Sequence, residues 1–221
     1  MSKEVTFTAK CPKCGKDVEC RVVEVLEPGD EALKKLFRSE LNLQTCSFCK
    51  AQFMAAHTIV YKEKEPPYLV FLEQYPEDDD VEALEQQIDE IATDASNDGN
   101  SEKPEVRVVF SLPDFIEKIA LRNAGLDDKL IEYAKLQLFR NMEEMQLSRS
   151  QHRLLYDFTR SNDDVLMFVV YDRNTNTPVN MLQVPMGEFH SLELALQADD
   201  EALAQLHAAF PGCYVSADRL L

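Results

Sequence analysis

Cys11-Pro-Lys-Cys14-Gly15 and Cys46-Ser-Phe-Cys49-Lys50 are the two stretches whose reading decides the fold of the N-terminal third. Each holds a Cys-x-x-Cys pair, and positions 15 to 45 lie between the pairs. Two intervening residues let both sulfurs of a pair point at one centre from a single turn. Two such pairs complete a tetrahedron with metal–sulfur bonds of about 2.3 Å. Protein then fills all four positions, which describes a structural site, whereas a catalytic zinc keeps one position for water or substrate. Cys11, Cys14, Cys46 and Cys49 are therefore the candidate metal ligands, with zinc as the expected ion. A rubredoxin-like iron centre also suits four thiolates. A redox dithiol calls for a helix starting at the pair, near a βαβ pattern, and neither pair is followed by one.

Working outward, Val5 to Ala9 reads as a strand entering the first pair, and Gly15 suits the tight turn after Cys14. Asp17 to Glu27 alternates, with Val18, Cys20 and Val22 on one face and Glu19, Arg21 and Val23 on the other, which predicts a strand. Asp30 is placed as the N-cap of a short helix whose apolar stripe is Ala32, Leu33, Leu36 and Phe37. After the second pair, Gln52 to Tyr61 and Tyr68 to Leu72 read as strands joined by a hairpin loop at Glu63 to Pro67. The first third is thus expected to be a zinc ribbon with one short helix inserted between its knuckles.

The formal charge of −17 is unevenly spread. Residues 1–72 hold 11 basic and 10 acidic side chains, residues 73–105 one and 13, and residues 106–221 11 and 17. The excess sits in the middle segment. An acidic chain repels phosphate backbones, which argues against a general nucleic-acid binder. Asp78-Asp-Asp80 is placed to cap a helix over 81–95 with Val81, Leu84, Ile88 and Ile91 on its apolar face. Ser96 to Pro104 carries no apolar residue and reads as a flexible linker. No apolar run reaches the roughly 18 residues that a membrane span needs. The N-terminus lacks a signal-peptide pattern, so a cytoplasmic location is expected, where thiols stay reduced.

Beyond the linker, Val106 to Phe110 is expected as a strand that opens the C-terminal part. A helix from Ser111 is stopped by Gly125, and a longer one runs over 127–145 through Met142 and Met145. Arg153 to Thr159, Val165 to Tyr171 and Val179 to Val184 predict an antiparallel meander, followed by helices over 188–209 and a last strand near Cys213. Helices and strands segregate, so the class is α+β. The expected division is a ribbon over 1–75, an acidic helix and linker over 76–105, and an α+β domain over 106–221.

The residues also resemble a known family. Cys11-Pro-Lys-Cys14-Gly15, the second pair before a Phe, the strand ending at Tyr61, Glu117-Lys-Ile119, Gly125-Leu-Asp-Asp128, Ile131-Glu132 and Lys135 look like the CpXC protein family of bacteria and archaea, over about residues 4–140. The resemblance implies that Cys11, Cys14, Cys46 and Cys49 are metal ligands. It implies no reaction, because the family's function is not established. Ser47 stands where the family pattern has proline, and Lys50 where glycine is common.

The expected function is that of a zinc-binding, non-enzymatic interaction or adaptor module with a protein partner. One alternative is an enzyme with a site in the C-terminal part, around His152, His190 or Asp157. The other is a nucleic-acid ribbon using Phe48, Phe53 and the lysines at 10, 13, 16 and 50. Single histidines such as His57 and His207 stand in no metal spacing with one another; Cys20 is expected as a small core residue on its strand face and Cys213 as inert.

Overall fold

Strands β1 (Lys3–Lys10) and β2 (Asp17–Leu26) form an antiparallel hairpin with the first cysteine pair at its tip. The computed structural model describes residues 3–96, 102–141 and 147–220. Side chains alternate along β2 as its sequence dictates, so Val18, Cys20 and Val22 are buried while Glu19 and Arg21 face solvent. Helix α1 (Glu31–Phe37) follows and buries Leu36. Asp30 occupies its N-cap position without capping it. The carboxylate instead accepts from the Glu27 N–H at 3.2 Å, closing the Pro28-Gly29 turn.

Strands β3 (Leu43–Thr45) and β4 (Gln52–Met54) make a second, shorter hairpin around the second cysteine pair. The single strand expected over 52–61 is therefore two. Residues 55–58 break it, because β4 belongs to this hairpin and β5 (Ile59–Lys64) to the large sheet. Strand β6 (Pro67–Leu72) pairs antiparallel with β5. Helix α2 (Val81–Ser96) is capped by Asp80, whose Oδ1 accepts from the Ala83 N–H at 2.9 Å. It turns Glu85, Ile88 and Ala92 inward and leaves Ile91 58% exposed. The buried row steps from 85 to 88 to 92, the i+3 and i+4 intervals of one helix face, and Ile91 stands off that row.

Strand β7 (Glu105–Val109) was expected to open the C-terminal part, but it pairs in parallel with β6. Segments β6, α2 and β7 thus form a βαβ crossover, the connection that parallel neighbours require. Burial of Val106, Val108 and Val109 suits a strand in parallel pairing. The large sheet has the order β1-β2-β5-β6-β7. Residues 97–101 of the expected linker lie outside the described residues. Two compact units divide the chain after Leu112.

The second unit opens with α3 (Leu112–Asn123) and α4 (Asp128–Asn141). Gly125 ends α3 at φ +68°, where Leu126 N–H donates to Leu121 O at 3.0 Å and Gly125 N–H to Arg122 O at 3.1 Å. This is a Schellman stop. Asp127 Oδ1 caps α4 at the Lys129 N–H, 2.7 Å away. Met142 and Met145 lie outside the described residues. The expected meander is present as β8 (His152–Tyr156), β9 (Val165–Asp172) and β10 (Pro178–Pro185), in the order β10-β9-β8. Helices α5 (Met186–Gln197) and α6 (Asp200–Ala209) follow.

The strand expected near Cys213 is not formed. Residues 211–216 are irregular and lead into a 3-10 turn, Ala217–Leu220. Side chains supply partners there in place of a ladder: the Ala217 N–H donates to Glu132 Oε2 at 2.9 Å, and Arg149 donates to the Ala217 carbonyl. The class is α+β, and among the described residues no helix is long and apolar enough to cross a membrane.

A Cβ added at Gly125 meets nothing within 4 Å, so a side chain there is opposed only by the left-handed backbone. Gly125→Ala is expected to cost about 1–2 kcal/mol, read as a lowered urea midpoint for the second unit with an unchanged slope.

Candidate metal centre

The two hairpin tips are built alike. In the first, the Gly15 N–H donates to Cys11 O at 2.8 Å and the Cys11 N–H to Lys16 O at 2.9 Å. In the second, the Lys50 N–H donates to Cys46 O at 3.0 Å and the Cys46 N–H to Ala51 O at 2.9 Å. Gly15 has φ +69° and Lys50 has φ +61°. Serine at 47 and lysine at 50 therefore leave the knuckle geometry intact, at the cost of a left-handed lysine whose Nζ donates to Ser47 O at 3.1 Å.

The tips bring four sulfurs together. Cys11 Sγ lies 3.7 Å from Cys49 Sγ, Cys14 Sγ lies 3.7 Å from Cys46 Sγ, and all four fall within 4.8 Å of one another. A tetrahedron with metal–sulfur bonds of about 2.3 Å has edges of about 3.8 Å. The cluster has the size and donor set of a four-thiolate centre and could hold a metal ion. Cys11 and Cys46 are buried, Cys49 is half-buried and Cys14 is exposed. Beneath them, Val18, Cys20, Val22 and Ala55 form a small core on which Phe7 and Phe53 pack. Cys20 is thus a core side chain, and Phe53 a packing one.

The sulfurs differ in how readily they ionise. The N–H groups of Cys49 and Phe48 pull the Cys46 thiol down to about 6. At Cys14 the Lys16 N–H pulls the same way, but partial desolvation by its neighbours and the sulfurs of Cys11, Cys49 and Cys46 outweigh it and carry the thiol up to about 11. Four sulfurs at this spacing resist ionising together unless a cation compensates them.

A family model described as CpXC protein matches residues 9–135, more than half of the chain. The chain belongs to the CpXC family. No curated protein and no solved structure matches it. The CpXC match contains all four clustered cysteines and stops at Lys135.

Within the CpXC match lies a second cluster, which the reading for function missed. Glu117 and Lys118 on α3 and Asp128, Glu132 and Lys135 on α4 are all buried. Lys118 Nζ sits 2.9 Å from Asp128 Oδ2 and 3.2 Å from Glu132 Oε1. Lys135 Nζ sits 2.8 Å from Glu117 Oε2 and 2.9 Å from Glu132 Oε1. The second oxygens of the two glutamates accept backbone N–H groups, Glu117 from Tyr156 at 2.5 Å and Glu132 from Ala217 at 2.9 Å.

Burial by itself would lower both lysines. The carboxylates of Asp128, Glu132 and Glu117 overcome this at Lys118, and those of Glu117 and Glu132 at Lys135, so both are held above the usual range. They stay charged, which suits bridging and not nucleophilic attack. The sequence did carry a signal, in Glu117 and Lys118 wedged between Phe115, Ile116, Ile119 and Leu121.

The remaining candidates have separate local roles. His57 stacks on Phe7 with centroids 5.0 Å apart. His152 Nδ1 accepts from the Ser148 N–H at 3.2 Å, and Asp157 caps its own turn at Thr159. His190 and His207 are exposed. Among the described residues no hydrogen bond or ion pair joins His152, Asp157 and His190. Phe48 is 56% exposed, with Lys16 Nζ 4.5 Å from its ring centroid.

Two outcomes follow. Lys50→Gly relieves the left-handed strain and is expected to raise the urea midpoint of the first unit by about 1 kcal/mol equivalent. Lys135→Met leaves Glu117 and Glu132 short of a counter-charge and is expected to cost about 3–5 kcal/mol at neutral pH. Glu117 is raised by burial against the pull of Lys135, so losing the lysine raises it further. The variant then takes up a proton on folding, and its deficit should shrink as pH falls from 7 towards the ordinary carboxylate value of 4.5. Urea titrations of both proteins across that range check the sign.

Proposed function

We propose that the protein is a cytoplasmic, non-enzymatic interaction module whose N-terminal hairpins are held as a zinc ribbon by Cys11, Cys14, Cys46 and Cys49. The observation that carries this reading is the pair of 3.7 Å sulfur separations across two matched knuckles. The donor set is closed, with four protein sulfurs and no position left for substrate, which is the pattern of structural zinc. Bound zinc would leave the centre with a charge of −2. Lys10, Lys13, Lys16 and Lys50 flank the four cysteines in sequence and would offset that charge, which favours a metal-supporting role for these lysines over a phosphate-binding one. A protein partner is favoured over nucleic acid for the same reason, together with the chain's formal charge of −17.

A non-enzymatic reading is supported by the second cluster, where both lysines are enclosed, charged and fully bridged. The acidic face of α2 is the surface offered to a basic partner, because Glu82, Gln86 and Glu90 are exposed, while Asp89 is already paired with Lys103.

Metal analysis of protein purified from its own host, combined with affinity capture, tests the proposal. Zinc at one ion per chain, with a reproducible protein partner, is expected. Iron at the same ratio would replace the zinc assignment. Cys11→Ser and Cys49→Ser are each expected to lose the metal and the dispersed NMR amide signals of residues 3–54, while signals of the second unit persist. An unchanged fingerprint after metal removal would refute the structural role.

A further inference from the structure

The second knuckle hangs on a short hairpin that shares no backbone ladder with the first. Strand β2 uses one edge to pair with β1 and reaches β5 on the other edge only at Val25 and Leu26. Between those contacts and the cysteine tip, side-chain amides take the place of a neighbouring strand. Asn42 is buried and has φ +56°. Its Oδ1 accepts from the Val23 N–H at 2.7 Å, and its Nδ2 donates to Val23 O at 3.0 Å. One amide thus satisfies both backbone groups of a single β2 residue, as a paired strand would. Gln44, at the centre of β3, adds a bond from Nε2 to Arg21 O at 2.9 Å. Val23 and Arg21 are two residues apart on β2, and Asn42 and Gln44 are two apart on the facing segment, so the two amides set a register.

We infer that Asn42 is a positioning residue for the metal centre: its amide docks the segment leading into β3 on Val23 and thereby places Cys46 and Cys49 against Cys11 and Cys14. The inference rests on the metal reading above. Bringing four sulfurs from two hairpins within 4.8 Å of one another requires the second hairpin to be ordered against the first. A clamp that holds the second hairpin in place lowers the ordering cost of binding. Groups behind a metal's ligands commonly govern affinity by about 10- to 100-fold. The clamp lies just ahead of Cys46, with only the short strand β3 between them, so an error in its register is passed directly to the knuckle.

The test uses the full chain and zinc in competition with a chromophoric chelator, with cobalt as a spectroscopic probe. Asn42→Ala is expected to weaken zinc affinity by about 10- to 100-fold and to speed metal loss, while the cobalt–thiolate spectrum still reports four sulfurs. Asn42→Gly tolerates the left-handed backbone but lacks the amide, and it should be as weak as Asn42→Ala. Asn42→Gln offers the same groups on a longer arm and is expected to recover part of the loss. Ile88→Ala, in the buried face of α2, controls for lowered stability alone and should bind zinc within about threefold of the parent.

Three results would overturn the inference: parent-like affinity in Asn42→Ala, full recovery in Asn42→Gly, or an equal loss in Ile88→Ala. A parent protein that takes up neither zinc nor cobalt would instead overturn the metal reading itself, so the two failures are told apart.

Discussion

Sulfur-to-sulfur proximity between two hairpins that share no backbone ladder is the constraint around which residues 3–54 are arranged. The core beneath the cluster is small, built from Val18, Cys20, Val22 and Ala55 with a few partly buried neighbours. A core of that size contributes little against the conformational entropy of the two hairpin tips. A metal ion held by the cysteine cluster would add its affinity to the folding free energy. The rest of the first unit is less dependent on it. Strands β5, β6 and β7 bury Tyr61, Val70 and Val108 in a continuous ladder, with α2 as their crossover.

The second unit solves a similar problem with charge. Helices α3 and α4 bury three carboxylates and two ammonium groups, and the glutamate oxygens left over by the lysines accept backbone N–H groups. Such a network is expensive to desolvate and is weak as a source of net stability. It is strong as a specifier, because an arrangement that leaves any member unpaired is penalised heavily. Tyr156 and Ala217, far apart along the chain, are both drawn to it through their N–H groups. The bidentate pair of Arg173 with Asp218, at 3.0 and 2.5 Å, fastens the same closing turn.

The parts of this structure that could be read in the sequence are the local ones. Cys-x-x-Cys spacing, the two-residue period of Val18, Cys20 and Val22, and the cap-and-stop signals at Asp80 and Gly125 each depend on neighbours within one turn. What escaped depends on distant chain. Strand β7 looks the same whether it opens one unit or completes another, and only its pairing with β6 decides. Asn42 between Leu41 and Leu43 is an ordinary loop residue until Val23 stands opposite. Glu117 and Lys135 carry the family resemblance in the sequence, but their pairing exists only where α3 and α4 enclose them. Of the candidate centre, all four cysteines were legible, because chelation is written in spacing, but the amide clamp behind them was not.

The crossover from β6 through α2 to β7 has a topological consequence for the acidic stretch. Its two ends are fixed in adjacent strands, with Tyr68 beside Glu105 and Leu72 beside Val109. The stretch is therefore a closed excursion and not a leash: it leaves the sheet and returns to it, however long it becomes. Doubling the length of such a loop costs only about 0.6 kcal/mol in closure entropy. Chain outside α2 can thus gain length, and charge with it, while the sheet that anchors the stretch keeps its register.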